Sequence, residues 1–170
     1  YRGTGSTGDG YKWAKALGHT VVTPKPSLVP LEVEEQWAYE LQGVSLKNIG
    51  FAVYNGKGKK VYSDFGELMF AHFGITGPVV LSGSAHLRPM LPGKYIIKID
   101  LKPALDEQKL DKRIIRDFEK YINKDFVNAL GELLLSGLIE TVTELAGIDA
   151  HKKVNSVTRE ERRRLVSVIK

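Results

Sequence analysis

Cysteine is absent from the chain, which excludes disulfides, thiolate nucleophiles and cysteine-ligated metals and fits a reducing compartment. Histidine is scarce. His19, His72, His86 and His151 lie far apart, with no H-x-x-H or H-x-x-x-H pair to grip a metal from one helix face. No metal site is expected. No apolar run approaches the ~20 residues that span a bilayer, and no charged-then-apolar leader opens the chain. A membrane partner is therefore not expected. The nucleophile elbow G-x-S-x-G is missing too, since Gly3-Thr4-Gly5-Ser6-Thr7 and Leu81-Ser82-Gly83-Ser84-Ala85 both fail the pattern. Charge of one sign is confined to one place. The net charge of +5 resides in residues 151–170, where seven Lys and Arg face Glu160 and Glu161, and the rest of the chain is neutral overall. One basic helix reads first as a solvated face, so nucleic acid is not expected as a partner. What remains is an ordinary globular composition in 170 residues, enough for one or two domains with a core. The chain opens on Tyr1 without Met and reads as a piece of something longer.

The stretch that organises the sequence is residues 66–84, GELMFAHFGITGPVVLSGS. Strand and turn signals precede it and helical periods follow it. The residues predict a strand or short turn over 68–73, a tight loop over 74–77 and a helix from Pro78 to about His86. Gly74 and Gly77 permit backbone angles that other residues avoid, and proline is pre-set for a first helical position. Free N–H groups over 77–80 would then suit an anionic or electron-rich ligand. The competing reading is a core helix with its start in water.

Residues 1–10 are nearly all Gly, Ser and Thr, and residues 11–17 read as a short helix capped by Asp9 and ended by Gly18. Gly3, Gly5 and Gly8 match G-x-G-x-x-G, but no strand precedes them and no acid follows at the required distance, so a primary dinucleotide loop is not expected. Residues 19–34 are extended because Pro24, Pro26 and Pro30 forbid a helix. Strands over 44–54 and 59–65 flank the turn Asn55-Gly56-Lys57-Gly58. A bulge is expected near Asn48 and Gly50, where the alternation slips. Residues 95–101 alternate as one more strand, which suggests a small antiparallel barrel. From Asp106 the period becomes helical. Leu110, Ile114, Ile115, Phe118 and Ile122 form one stripe. Helices over 126–135 and 138–146 are separated at Ser136-Gly137, and Thr158 with Glu161 caps a last helix burying Leu165, Val166 and Ile169.

Among side chains with chemistry, Glu67 and His72 could form an acid/base pair, against the plainer reading of a solvated acid and a wall histidine. Nothing composes a self-contained hydrolase or metalloenzyme, so hard chemistry in a parent enzyme would come from a cofactor.

Three stretches together resemble one family. They are residues 3–17 with His19-Thr20 and Pro26-Ser27-Leu28-Val29-Pro30-Leu31; Leu41-Gln42-Gly43-Val44-Ser45-Leu46-Lys47-Asn48; and residues 66–78, GELMFAHFGITGP. The family is that of the bacterial YhiN- or BaiN-like NAD(P)/FAD-dependent oxidoreductases. The resemblance implies an α+β chain: a small antiparallel β-barrel followed by a helical subdomain of about four helices, inserted into a Rossmann-like FAD domain. Residues 1–18 would be a flank of that FAD domain, 19–104 the barrel with the 66–86 loop and helix, and 105–170 the helical subdomain. Gly3, Thr4, Gly5, Ser6, Thr7, Gly8, Asp9 and Gly10 would line the flavin side. Glu67 and His72 would be catalytic, and Gly74, Thr76, Gly77 and Pro78 would lie on the substrate side. The implied role is a substrate-capping insert of a cytoplasmic flavoprotein that moves hydride between NAD(P)H, FAD and an unidentified small molecule. Its partner would be the rest of that protein, and the chain alone would be inactive. The alternative is a non-catalytic module that binds RNA or protein through the barrel and the basic C-terminal helix.

Overall fold

A computed structural model describes residues 2–170, with the side chain of Arg2 set aside. Tyr1, where the expected flank begins, lies outside the described residues. The chain is α+β, with four antiparallel strands in the order β3-β2-β1-β4 and a helical half after them. Strand β1 (Ser45–Asn55) and β2 (Lys60–Ala71) form the expected hairpin. The Asn55 side chain accepts from the amides of Lys57 and Lys59, 3.0 Å each, which fixes the turn. The expected bulge is present. The register slips between Leu46 and Ile49, and Asn48 sits at φ 56°, a region that asparagine tolerates. The slip returns Leu46 and Ile49 to the same buried face as Phe51 and Val53. Strand β4 (Tyr95–Asp100) pairs with β1 along its other edge.

Three expectations are corrected here. The residues read as a tight loop over 74–77 form a third strand, β3 (Gly74–Thr76), because β2 runs on to Ala71 and reverses at His72-Phe73. Helix α1 (Asp9–Ala16) is capped by Gly8 in the left-handed region, so Asp9 is its first residue rather than its cap. In the helical half, Ser136 and Gly137 lie inside α6 (Ser136–Ala146), and the break falls earlier, after the single turn α5 (Phe126–Ala129). Gly137 permits this placement by close packing, since a Cβ there would lie 2.9 Å from the Val44 Cγ2. A helix not anticipated, α2 (Gln36–Glu40), covers the sheet through Trp37, whose ring meets Phe70 edge-on at 6.1 Å.

Helix α4 (Glu107–Lys120) starts where the Asp106 side chain accepts from the Lys109 amide at 2.7 Å. It buries Leu110 and Ile114. Ile122, placed on the same stripe by the sequence, lies past the end of the helix and is exposed. Asp117 is buried with its carboxylate held by Arg113 Nε at 2.9 and 2.7 Å. Helix α7 (Arg159–Ile169) has the expected capping box and buries Leu165, Val166 and Ile169. Its C-terminus locks onto the barrel: Leu101 N–H donates to the Ile169 carbonyl at 2.9 Å, and Lys170 Nζ reaches Asp100 at 2.6 Å. One apolar core runs continuously through both halves.

The capping box makes a pH prediction. Lys152 Nζ, at 2.7 and 2.9 Å, and the Thr158 amide donate to Glu161, and together they hold its carboxyl down to about 2. A folded pKa below the unfolded one gives stability that is complete above the ordinary glutamate value and lost as pH falls toward about 2. Glu161→Gln should therefore be less stable at neutral pH and flatter through that acid window. Urea midpoints measured across pH check this, and equal acid slopes would remove Glu161 from the titration.

Candidate functional site

The stretch 66–84 becomes β2, a two-residue turn, β3 and the helix α3 (Pro78–Ser84). Gly66, Gly74 and Gly77, three of its four glycines, mark close approaches. A Cβ on Gly66 would lie 2.8 Å from Val79 Cγ1, and one on Gly77 would lie 3.0 Å from the Glu67 carbonyl. At Gly74, φ is +133° and a Cβ would lie 2.4 Å from the Leu31 carbonyl. The extended segment before α2 crosses at that point, and Leu31 and Ile75 exchange two backbone hydrogen bonds of 3.0 and 2.9 Å. Pro78 opens α3 as expected. The amides of Val80 and Leu81 both donate to the Gly77 carbonyl, so Val80, read as ligand-facing, is engaged within the turn. Thr76 is half-buried opposite Met69.

Glu67 and His72 are both exposed and make no hydrogen bond to each other. Five residues along an extended chain separate them, about 16 Å. His72 stands at the turn with its ring against Phe73 at 4.9 Å. The structure thus does not bring the two together as a pair.

The N-terminal glycine loop is a surface feature. Gly3 and Thr4 lie in a single helical turn, Ser6 and Thr7 follow in the open, and the Thr7 hydroxyl donates to Asp9, which also pairs with Lys12 at 2.9 Å. Those two donors, Thr7 first, pull the Asp9 carboxyl below its usual range. A Cβ added at Gly5 or Gly10 would meet nothing within 4 Å. Helix α1 buries none of its residues, and Tyr11, Trp13 and Leu17 are exposed.

The sequence reading missed a polar aromatic cluster on the face under α3. Tyr62 stacks on His86 at 4.7 Å and donates through its hydroxyl to Asp64 at 2.8 Å. Burial, then the bond to Asp64, raises the Tyr62 pKa, and the Tyr62 hydroxyl lowers that of Asp64. The Y-x-D spacing puts both on one face of a strand, but His86 arrives from beyond α3. Beside the sheet, Trp37, Phe70, Ile97 and Ile99 line two adjoining clefts, one of about 270 Å³ that also carries Glu32, Glu34 and Glu35, and an apolar one of about 190 Å³. Among the described residues no group of three or more His, Cys, Asp or Glu is placed to hold a metal, and no helix is long and apolar enough to cross a membrane.

Two of the four arginines of the basic helix α7 are engaged in structure. Arg162 pairs with Asp111, and Arg164 donates to the Ala146 and Gly147 carbonyls at 2.9 and 3.2 Å, closing the C-terminus of α6.

Residues 25–170 match the family model described as HI0933-like protein barrel and H2TH domain, and the chain belongs to that family. It is 35% identical over 103 residues to a ribosomal RNA dihydrouridine synthase of Haemophilus influenzae, covering 59% of this chain and 23% of that protein. It is 29% identical over 149 residues to a protein of the same name from Escherichia coli, covering 86% of this chain and 34% of that one. A 3-dehydro-bile acid delta(4,6)-reductase of Clostridium scindens is 29% identical over 119 residues, covering 68% and 28%. The chain thus spans about a quarter to a third of the length of the curated relatives it matches.

Proposed function

We propose that this chain is the substrate-side module of a larger FAD-dependent reductase, which passes hydride from NAD(P)H through the flavin to a carbon–carbon double bond conjugated with a carbonyl. The observation that carries the reading is membership of a family whose relatives are named for reducing such a double bond. Forming dihydrouridine reduces a uracil ring double bond conjugated with a carbonyl. Reducing a 3-dehydro delta(4,6) bile acid saturates a double bond conjugated with a ring ketone. Flavin, when bound, would supply the hydride in both cases.

The chain's own residues support such a division of labour. The loop from Gly3 to Gly10 leaves open space over Gly5 and Gly10, where a cofactor or a second body can approach the backbone. A glycine inside a helix costs about 1 kcal/mol against alanine, and nothing packed against Gly10 among the described residues calls for one. The exposed rings of Tyr11 and Trp13 on the same helix, which buries none of its residues, leave apolar area for the rest of the parent to cover. The barrel would then close over the substrate side and exclude water, with His72 at the β2–β3 turn as the proton-carrying group and Gly74, Thr76, Gly77 and Pro78 shaping the wall.

The test is a visible spectrum and NAD(P)H oxidation assay of the full-length parent. A yellow protein that oxidises NAD(P)H with an enone or uridine acceptor supports the reading. A colourless one that cannot be reconstituted with FAD overturns it. Within a yellow parent, His72→Ala should lower turnover by at least about 100-fold with flavin retained, and unchanged turnover would remove His72 from the site.

A further inference from the structure

We propose that the outer face of the four-stranded sheet is an RNA-docking platform, on which Tyr54 and Phe65 stack bases and Lys60 and Lys98 meet phosphates. This rests on the reductase reading above and names its substrate class as a uridine-containing RNA strand.

The sequence alternation builds the face. Phe51 and Val53 of β1 are buried, so Gly50, Ala52 and Tyr54 point to the other side. Residues directly opposite across the ladder share that side. Tyr54 faces Lys60 on β2 and Ile96 on β4, Ala52 faces Ser63 and Lys98, and Gly50 faces Phe65 and Asp100. Helices α2 and α3 pack against the opposite side, where Trp37 meets Phe70, and a Cβ on Gly83 would lie 2.9 Å from Phe51. Phe65 and Ile96 are consequently 60% and 61% exposed. Large apolar side chains left open on a sheet face call for an occupant.

Charge selects which occupant. Lys60 Nζ and Lys98 Nζ stand 6.0 and 5.6 Å from the centre of the Tyr54 ring, and among the described residues neither forms an ion pair. Of the acids on this face, Asp100 is already held by Lys170 at 2.6 Å, and Glu67 lies further along β2. A surface of flat rings beside uncompensated cations suits single-stranded nucleic acid, whose bases stack on aromatics and whose phosphates need cations. Tyr54 and Phe65 lie about 13 Å apart along the sheet, with the small side chains of Ala52 and Ser63 between their rows. That gives a shallow floor beside the rings, closed at the Gly50 end by Asp100 and Pro103. The basic helix α7, by contrast, uses Arg162 and Arg164 to hold its own neighbours. The relatives from Haemophilus influenzae and Escherichia coli are named for a reaction on ribosomal RNA, which fits this substrate class.

The experiment uses the full-length parent and a fluorescent oligouridylate, with anisotropy followed across salt concentration. The double variant Lys60→Gln, Lys98→Gln should bind more weakly at low salt. Its plot of log affinity against log salt should be shallower by about 1.4, since each single-strand phosphate left without its lysine removes about 0.7 from the slope. Phe65→Ala should lose between about 5- and 150-fold in affinity, the range of base stacking on an aromatic ring. Arg163→Gln on α7 should change little, and thermal unfolding of all three should match the wild type. No binding by the wild type, or equal binding by all variants, overturns the proposal. So does an Ile96→Cys side chain that a maleimide cannot reach in the free parent, because the rest of that protein would then cover the face. A yellow, active parent whose RNA binding ignores these residues sinks the platform and keeps the reductase. A colourless parent that binds RNA through them keeps the platform and sinks the reductase.

Discussion

Gly74→Ala is expected to destabilise the chain by at least about 3 kcal/mol, read as a fall in the urea midpoint at unchanged slope. Two costs add. The residue sits at φ +133°, where a side chain costs about 1–3 kcal/mol. Its Cβ would also lie 2.4 Å from the Leu31 carbonyl, 3.0 Å from Glu32 Cα and 3.1 Å from Val33 N. All three are main-chain atoms, which cannot swing aside as the end of a side chain can. Relief therefore requires the extended segment to lift from β3, and that breaks both hydrogen bonds between Leu31 and Ile75. These bonds tether the segment to the edge of the sheet and seat Leu31, which is buried, beside Ile75. Gly131→Ala supplies the control, because a Cβ there would meet nothing within 4 Å and no special φ is required. It should be near neutral. A Gly74→Ala protein within about 1 kcal/mol of wild type would mean that the segment is free to shift and that the seam does not hold the sheet edge.

The same residue shows where the sequence was readable and where it was not. The hairpin around Asn55-Gly56, the bulge at Asn48 and the capping box of α7 all depend on neighbours a few residues apart, and all three were legible. Gly74 and Gly77 looked like loop residues because glycine usually marks a turn. Here they mark places where a distant backbone presses close, which no local pattern reveals. Helix α2 is too short to show a period, and it forms because Ala38 and Leu41 are buried and Trp37 packs on the sheet. The break between α5 and α6 was misplaced for the same reason. Ser136-Gly137 resembles a stop, yet Gly137 lies in α6 against Val44, far away in sequence. The candidate site was legible in its components more than in its assembly. The turn holding His72 and the helix start at Pro78 follow from local signals, whereas the distance from Glu67 to His72 depends on β2 continuing as one strand. Tyr62, Asp64 and His86 meet only after α3 folds back over the sheet. The outer face was hidden because Tyr54, Phe65 and Ile96 come from three strands, and a second register slip, between Val53 and Tyr54, breaks the alternation that would have aligned Lys60 with them.

Phe126→Ala should cost about 3–5 kcal/mol, the loss for a fully enclosed aromatic, and should unfold the barrel together with the helical half. Phe126 is completely buried and its ring meets Phe118 edge-on at 6.0 Å. Its amide donates to the Lys152 carbonyl at 2.9 Å, so the side chain fills the space that the backbone closes. The argument for a shared transition is the seam between the halves. Leu101 and Ile169 share a backbone bond, while Lys170 Nζ reaches the Asp100 carboxylate and the Lys102 and Leu105 carbonyls. The apolar core passes through this seam without interruption, from Leu46 and Ile49 of the barrel to Leu165 and Ile169 of α7. A helical cluster that melted alone would strip cover from those strand residues, so the barrel would lose its own core at the same time. Tryptophan fluorescence reports the barrel half, because Trp37 packs on Phe70 whereas Trp13 is 68% exposed. Far-ultraviolet circular dichroism reports mainly the helices. In both wild type and Phe126→Ala the two signals should change at one urea concentration, lower in the variant. Fluorescence that held its wild-type midpoint while the helical signal fell early would show two separately folding units, and the seam at Lys170 would then touch the barrel without coupling it to the helices.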